Sequence, residues 1–238
     1  MTNRSMNDIS KVAVVVTAAG SSSRMGGSLK KEYLTLGNGT VLSACVKAFE
    51  AASKDTKQPF IISHMIITVP QNDSGEASKA VSPYNVEFVP GGSTRQKSVL
   101  NALEYINKST AKPDYVLIHD GARPFVTVEL ISNVLQAVCQ FNAAAPGIVP
   151  TDTIKQIDRD GFIVSHLVRS SLTAIQTPQG FAFEKLLEAH RKAAADGHDY
   201  TDDSEIWDKY SGRVKLVAGD TKNIKITYPG DLERGAAL

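Results

Sequence analysis

One short run of mostly β-branched residues constrains the fold of this chain more than any other feature. The run Val12-Ala13-Val14-Val15-Val16 is apolar at every position and leads directly into the glycine- and serine-rich segment 17–26. Continuous apolar runs are typical of strands that are buried on both faces of a parallel sheet. The segment that follows is therefore expected at the carboxyl edge of the sheet, which is where open α/β sheets bind their ligands.

Helical and extended patterns alternate through the rest of the chain. Apolar residues recur at i, i+3, i+4 and i+7 from Leu42, from Val99 and from Ile131, which predicts three amphipathic helices. Further helices are expected at 183–195 and from Pro229, and strands at 65–69, 86–89, 116–119, 147–149 and 214–217. The alternation predicts an α/β fold, with a mostly parallel open sheet and helices on both faces.

A hairpin interrupts this alternation after Pro150. Segments 153–157 and 162–166 have the composition of strands, and Arg159-Asp160-Gly161 between them favours a turn. We therefore expect one domain over residues 1–238, with a β-arm at about 151–172. Two strands cannot bury both of their faces alone, so the arm either folds over the sheet or packs against a second subunit.

Charge and composition narrow the classes of partner and location. Lysine and arginine total 26 against 25 aspartate and glutamate, and this balance favours neither nucleic acid nor a membrane surface as a partner. No segment approaches the roughly 20 apolar residues of a membrane span, and the N-terminal MTNRSMNDIS is too polar for a signal peptide, so a cytoplasmic location is expected. Cys45 and Cys139 both fall among apolar residues at helical spacing, which predicts that both are buried, without a disulfide or a metal.

Two of the predicted loops carry residues suited to phosphates. Segment 17–26 offers backbone N–H groups that can approach a phosphate, yet it lacks both the lysine of a P-loop and the GxGxxG of a dinucleotide fold. Arg24 and Lys31 make it basic, which indicates a phosphate site, although a solvated charge cluster stays possible. In segment 91–98, GGSTRQKS, Ser93 or Thr94 could also simply cap the following helix.

A third loop, His119-Asp120-Gly121-Ala122-Arg123-Pro124, closes a predicted strand. Asp120 is well placed there to hold a metal ion or a hydroxyl group, but it could instead serve only as a cap or pair with Arg123. His119 ends a buried strand, where a histidine is more often a hydrogen-bonded structural residue than an acid or base. Three such loops at one edge of a sheet predict a ligand site.

Eight blocks of sequence resemble one enzyme family, and they occur in order across nearly the whole chain. AAGSSSRMG, KKEYL, GGSTRQKSV, HDGARPFV, PTDTIK, QTPQGF, TDD and NIKIT resemble the 2-C-methyl-D-erythritol 4-phosphate cytidylyltransferases of non-mevalonate isoprenoid synthesis. The resemblance implies transfer of CMP from CTP to the phosphate of 2-C-methyl-D-erythritol 4-phosphate, giving 4-CDP-2-C-methyl-D-erythritol and pyrophosphate. It also implies a Rossmann-like nucleotidyltransferase fold, a homodimer with a protruding β-arm, and a requirement for Mg2+ or a similar ion such as Mn2+.

The resemblance also implies a role for each matched residue. The residues expected around the triphosphate, of which the last two are the catalytic cations, are Ala18, Ala19, Gly20, Arg24 and Lys31. Those expected to recognise cytosine and ribose are Gly92, Ser93 and Ser98. Those expected near the acceptor are Asp120, which would also be near the metal, and Arg169, Thr201 and Lys225. Arg169 would reach in from the partner subunit.

The match has departures, and it leaves alternatives open. Ser22 stands where the loop usually has a second glycine, and Glu32 follows Lys31 where glutamine is usual; Ser93 and Gly121 differ more mildly. These departures bear on affinity more than on reaction type. A ribitol-5-phosphate cytidylyltransferase is the nearest alternative, because it shares the fold and many of the blocks.

Two further alternatives are more distant. A sugar-1-phosphate nucleotidyltransferase would share only the first glycine loop, and the QTPQ and NIKIT blocks argue against it. A catalytically inactive nucleotide-binding regulatory module would be expected to lack Arg24 or Lys31, and both are present.

Overall fold

The structure is a computed structural model, and it describes residues 9–22, 25, 29–55 and 60–236. The strands are β1 (Ser10–Thr17), β2 (Thr35–Leu36), β3 (Gly39–Thr40), β4 (Phe60–Val69), β5 (Glu87–Pro90), β6 (Tyr115–Asp120), β7 (Ala143–Ile148), β8 (Lys155–Ile157), β9 (Ile163–His166), β10 (Ala174–Ile175), β11 (Gln179–Ala182) and β12 (Lys215–Ala218). The helices are α1 (Val41–Ser53), α2 (Ser74–Val81), α3 (Arg95–Asn107), α4 (Val128–Phe141), α5 (Phe183–Asp196), α6 (Asp203–Tyr210) and α7 (Pro229–Ala236). Within these ranges, no helix is both long enough and apolar enough to cross a membrane.

The main sheet has the strand order β10-β7-β11-β6-β1-β4-β5, and β12 also pairs with β7. The pairs β1–β4, β1–β6, β4–β5 and β7–β12 are parallel, whereas β11 and β10 pair antiparallel with their neighbours. The predicted α/β fold with a mostly parallel sheet is confirmed. Because β1, β4, β5 and β6 run in the same direction, the loops after them lie along one edge.

Helices cover both faces of this sheet, as the sequence predicted. Val12, Val14 and Val16 pack with α1, α2 and α4. Ala13 and Val15 face the opposite way and pack with α3, α5 and α6. All five side chains are fully buried, so the apolar run of β1 joins the two layers of core.

Side-chain caps fix where three of the predicted helices begin. The hydroxyl oxygens of Thr40, Thr94 and Thr127 each accept the backbone N–H three residues further on, at the start of α1, α3 and α4. Asn142 ends α4 with φ 64°, in the left-handed region, and the chain turns there into β7. The helices from Leu42, Val99 and Ile131 are therefore confirmed, and so is the capping alternative for Thr94.

Two predictions about buried segments are wrong. β7 begins at Ala143 rather than at 147, because three consecutive alanines are buried there between helices, although alanine alone has little preference for strands. Cys139 is exposed, whereas Cys45 is buried as expected. Position 139 follows the buried Val138 on α4 and falls on the solvent face of the helix.

The hairpin predicted after Pro150 is present as the antiparallel pair β8–β9. The apolar side chains on and beside it face solvent, with Ile157 61%, Phe162 71% and Val168 66% exposed. The arm therefore does not bury its apolar residues on the sheet of its own chain, which was one of the two alternatives.

Candidate active site

A cleft of about 720 Å³ opens at the carboxyl ends of β1, β5 and β6. Five sequence segments meet there: the glycine loop with residues 30–32, the end of β4 at Pro70, the loop between β5 and α3, the end of β6, and segment 225–227. The lining residues from the described part of the chain are Thr17, Ala19, Gly20, Ser21, Ser22, Lys30, Lys31, Glu32, Pro70, Gly92, Ser93, Thr94, Arg95, Ser98, Asp120, Ala122, Lys225 and Thr227. Its volume is in the range of small-molecule sites, and it lies at the edge where the three loops were expected to meet.

Hydrogen bonds hold the glycine loop from both ends. The Ala18 N–H donates to the carbonyl of Thr68 on β4 at 2.9 Å, so Ala18 itself is buried behind the cleft. Ser22 has φ 53°, in the left-handed region that favours glycine. Its hydroxyl donates to Glu32 Oε2 at 3.1 Å, and Glu32 is nearly fully buried. The two departures from the family pattern are thus partners of each other.

Two lysines bring positive charge to the wall below this loop. Lys31 Nζ donates to the carbonyl of Ile226 at 3.0 Å, which ties the loop to the segment that carries Lys225. Lys30 Nζ donates to the carbonyl of Gly20. Burial lowers the pKa of Lys30, against the opposing effect of the Glu32 and Asp73 carboxylates. Arg24, the other predicted cation, lies outside the described residues.

The loop between β5 and α3 packs tightly against the glycine loop. A Cβ atom at Gly91 would come within 2.3 Å of the Ala19 Cβ, so only glycine allows the two loops to approach this closely. Ser98 Oγ accepts the Gly92 N–H at 3.0 Å and donates to the carbonyl of Thr94 at 2.9 Å. Gly92 and Ser93 line the cleft next to Ser98, where the resemblance expects cytosine and ribose.

The carboxylate of Asp120, at the end of β6, lies at the centre of a cluster of three cations. Lys225 Nζ lies 2.7 Å from Oδ2, Arg95 Nε 3.4 Å from Oδ1, and Arg123 Nε 3.7 Å from Oδ2. Burial alone would raise the pKa of Asp120, but the three cations outweigh it and hold that pKa well below the usual range. The predicted pairing of Asp120 with Arg123 is therefore present, and it is one of three ion pairs that this carboxylate makes.

Arg95 extends this charge network into the interior. Its Nη1 lies 2.7 Å from Oδ2 of Asp203, a fully buried residue whose Oδ1 is 3.0 Å from His190 Nε2. Burial would raise the pKa of Asp203, but Arg95 and the hydrogen bond from His190 lower it. Sequence reasoning missed Arg95. The available signal was its position as the first residue of α3, where the helix dipole disfavours a cation unless an anion lies nearby.

His119 is a structural residue, as predicted. Its Nε2 lies 3.0 Å from the carbonyl of Arg123, which can only accept, and its Nδ1 lies 3.1 Å from the Thr177 hydroxyl. That hydroxyl accepts the Asp120 N–H at 3.0 Å, so it donates to Nδ1. Burial lowers the pKa of His119 to about 4, and the neutral ring links the end of β6 to residue 177.

The acidic residues of the cleft do not form a metal cage. Asp120 and Glu32 are the carboxylates among the lining residues described, and each already accepts from protein donors. The described parts of the chain contain no group of three or more His, Cys, Asp or Glu that could hold a metal ion. This donor set fits Mg2+ only if phosphate oxygens of a ligand supply most of the coordination.

Two of the predicted acceptor residues lie away from the cleft lining. Arg169 is exposed on the arm, three residues after β9, and its Nη2 donates to the Thr153 hydroxyl at 3.1 Å. Thr201 is exposed before α6, where its N–H and hydroxyl both donate to Glu205 Oε2, at 2.9 and 2.8 Å. The predicted residues that do share the cleft are Ala19, Gly20, Lys31, Gly92, Ser93, Ser98, Asp120 and Lys225.

Comparison with known proteins finds one family over the length of the chain. A family model described as 2-C-methyl-D-erythritol 4-phosphate cytidylyltransferase matches residues 12–238. The protein of that name from Clostridium beijerinckii is 40% identical over 225 residues, which cover 93% of this chain and 95% of the relative.

Solved structures agree with the sequence comparison. The 2-C-methyl-D-erythritol 4-phosphate cytidylyltransferase of Thermus thermophilus superposes with a TM-score of 0.77 at 30% identity, covering 96% of this chain and 98% of that one. The 4-diphosphocytidyl-2C-methyl-D-erythritol synthase of Anaerococcus prevotii gives a TM-score of 0.80 at 26% identity, covering 97% and 98%.

Proposed function

This chain belongs to the 2-C-methyl-D-erythritol 4-phosphate cytidylyltransferase family, and on that premise we propose how its cleft carries out the reaction. The enzyme transfers CMP from CTP to 2-C-methyl-D-erythritol 4-phosphate and releases pyrophosphate, in non-mevalonate isoprenoid precursor synthesis. The observation that supports the assignment of roles is a single cleft whose lining includes both the glycine loop with Lys31 and the Asp120–Lys225 pair.

The nucleotide occupies the glycine-loop side of the cleft. Backbone N–H groups around Ala19 and Gly20 bind the triphosphate, and Lys31, together with Arg24, neutralises the charge that builds on the α-phosphate and on the leaving pyrophosphate. Gly92, Ser93 and Ser98 bind the cytosine and ribose. The close packing that Gly91 allows against Ala19 sets the base-binding loop and the phosphate-binding loop at a fixed separation.

The acceptor occupies the side of the cleft that carries Asp120 and Lys225. An acceptor phosphate oxygen attacks the α-phosphorus in line, and this oxygen is already ionised, so no general base is required. His119 is not available as one, because both of its ring nitrogens are hydrogen-bonded in the interior. The rate enhancement then comes from positioning two polyanions and neutralising their repulsion.

We further propose that Mg2+ enters with the triphosphate, with Asp120 as the nearest protein carboxylate and Mn2+ as a possible substitute. When bound, the ion would neutralise phosphate oxygens. Removing divalent ions with EDTA should abolish pyrophosphate release, and either ion should restore it. Release that continues at full rate in EDTA would refute the requirement.

The exposed apolar arm supports a homodimer in which Arg169 acts on the acceptor phosphate of the partner's site. Arg169 lies within the arm, after β9, and in its own chain it is outside the cleft lining. A second copy of the chain would cover the arm's apolar side chains. We place the enzyme in the cytoplasm, where CTP is available.

Substrate comparison tests the assigned reaction. Pyrophosphate release should be fastest with CTP and 2-C-methyl-D-erythritol 4-phosphate, and ribitol 5-phosphate should be a poor acceptor. A higher kcat/KM with ribitol 5-phosphate would replace the assignment by the ribitol-specific one. No release with either acceptor would favour the inactive regulatory module.

Mixing inactive variants tests the proposed dimer. If Arg169 acts in trans, a dimer of one Arg169→Ala chain and one Lys31→Ala chain has one site with both defects and one intact site. Random pairing should then restore roughly a quarter of wild-type activity. As a control, mixing Lys31→Ala with Arg24→Ala should restore nothing, since both residues belong to the same chain's glycine loop. Absence of rescue despite subunit exchange would place Arg169 in its own chain's site.

A further inference from the structure

We propose that Arg95 is the positioning residue for the acceptor half of the site, because it bridges Asp120 in the cleft to the buried Asp203 at the start of α6. This inference rests on the proposed function for the assignment of Asp120, Thr201 and Lys225 to the acceptor. Arg95 belongs to the block GGSTRQKS, in which Gly92, Ser93 and Ser98 are assigned to the nucleotide, yet its own contacts are with the acceptor side.

The geometry makes Arg95 the junction of three chain segments. Its Nε faces Asp120 Oδ1 at 3.4 Å and its Nη1 faces Asp203 Oδ2 at 2.7 Å. Asp120 in turn accepts from Lys225 Nζ at 2.7 Å, so the position of Lys225 depends on the same carboxylate. A planar guanidinium can serve two carboxylates at once in fixed directions, which a lysine ammonium cannot do.

The contact with Asp203 carries the network to Thr201. Asp203 is the first residue of α6, and the preceding residue, Asp202, caps that helix by accepting the Glu205 N–H at 3.0 Å. Glu205 then accepts both bonds from Thr201. The end of β6, the segment of Lys225 and the start of α6 are thus tied together through one side chain.

Because this bridge is buried, loss of Arg95 should shift the Asp120 carboxylate and not merely expose it to water. The Asp203 side chain is fully buried, and only 27% of the Arg95 side chain and 11% of the Asp120 side chain are exposed. Water cannot replace a lost partner in such a place, so a carboxylate that loses its arginine must move or take up a proton. Misplacement of reacting groups by about 1 Å can cost on the order of a hundredfold in rate.

Steady-state kinetics test the proposal by comparing kcat/KM for the acceptor with the KM for CTP. Arg95→Gln should lower kcat/KM for the acceptor about a hundredfold while the KM for CTP stays within about threefold. Arg95→Lys keeps the positive charge but not the planar guanidinium, so kcat/KM for the acceptor should fall roughly tenfold. Asp203→Asn changes only the far, buried end of the bridge, and it should also lower kcat/KM for the acceptor selectively.

A second measurement asks whether Arg95 acts through Asp120. In an Asp120→Asn background, adding Arg95→Gln should cost no more than about threefold, because the partner it positions is already lost. Arg191→Gln is the matched control. Arg191 forms an exposed, two-pronged pair with Glu104 that also joins α5 to α3, and its loss should change the kinetics less than about twofold.

Three results would overturn the proposal. The first is a KM for CTP that rises in Arg95→Gln as much as the KM for the acceptor. The second is a double variant in which the losses from Arg95→Gln and Asp120→Asn multiply. The third is a lower Tm of Arg95→Gln with unchanged kinetics, which would make the bridge purely structural. If ribitol 5-phosphate proved to be the true acceptor, the same comparison with that acceptor would still decide the role of Arg95.

Discussion

Lowering the pH from about 7.5 to about 5 should weaken this fold through His119, which is buried in its neutral form. The pKa of His119 falls from 6.5 to about 4 because burial disfavours the charged ring. Between pH 6.5 and about pH 4, His119 binds a proton in the unfolded chain but stays neutral in the folded chain. The stability contributed by the neutral ring is therefore complete above about pH 6.5 and is lost progressively as the pH falls towards 4.

The size of the effect follows from the two pKa values. The full gap between 6.5 and about 4 corresponds to about 3 kcal/mol, of which about 2 kcal/mol should be lost by pH 5. Asp120 and Asp203 do not contribute much in this window. Their pKa values are lowered below the ordinary 3.8, so the stability they provide is lost only at more acidic pH.

Urea unfolding at the two pH values measures this loss directly. His119→Asn, which keeps an acceptor for the Thr177 hydroxyl, should be less stable throughout but should lose about 2 kcal/mol less than wild type on acidification. Gly180→Ala, a variant destabilised elsewhere that retains His119, should keep the full wild-type difference. If His119→Asn showed the same pH dependence as wild type, the buried neutral histidine would not be its source.

Further substitutions test the packing and the glycine loop. Ser22→Gly should raise the KM for CTP several-fold, up to about tenfold, because the Glu32 carboxylate loses the hydrogen bond from the Ser22 hydroxyl. Adding Glu32→Gln in a double variant should reverse most of that rise. Gly180→Ala should lower the free energy of unfolding by about 1–3 kcal/mol, since its Cβ would lie 2.5 Å from a valine methyl group. Cys45→Ser should cost about 1–3 kcal/mol by burying a hydroxyl, whereas Cys139→Ser should stay within about 0.5 kcal/mol; denaturant unfolding measures each.

The sequence predicted those parts of the fold that local apolar patterns determine. The run at Val12 to Val16 forms an interior strand of the sheet, and the helices from Leu42, Val99 and Ile131 were correct because one face of each is buried. The first strand residues of β7 are alanines, which carry no such pattern. Their burial depends on the helices around them, which is tertiary information.

The candidate site divides in the same way. Glycine and serine loops at strand ends could be located from the sequence, and their residues do meet in one cleft. The bridge from Asp120 through Arg95 to Asp203 could not, because its members are far apart in the chain and single ion pairs leave no periodic signal. The roles of Arg169 and Thr201 stay predictions, since their own chain places neither on the cleft lining.

Asp120→Asn decides whether the carboxylate at the centre of the cleft serves electrostatics or geometry. The substitution removes a negative charge from a site that binds two polyanions, so charge alone would predict tighter substrate binding and faster turnover.

The structure predicts the opposite. An ammonium has three N–H donors, and Lys225 uses one of them on Asp120 at 2.7 Å, which leaves the others for an incoming phosphate. Asparagine would hold Lys225 less firmly and leave Arg95 and Arg123 less well compensated, so kcat/KM for the acceptor should fall by roughly one to two orders of magnitude. A rise in kcat/KM would show that Asp120 only opposes the phosphates and does not position the cations that receive them.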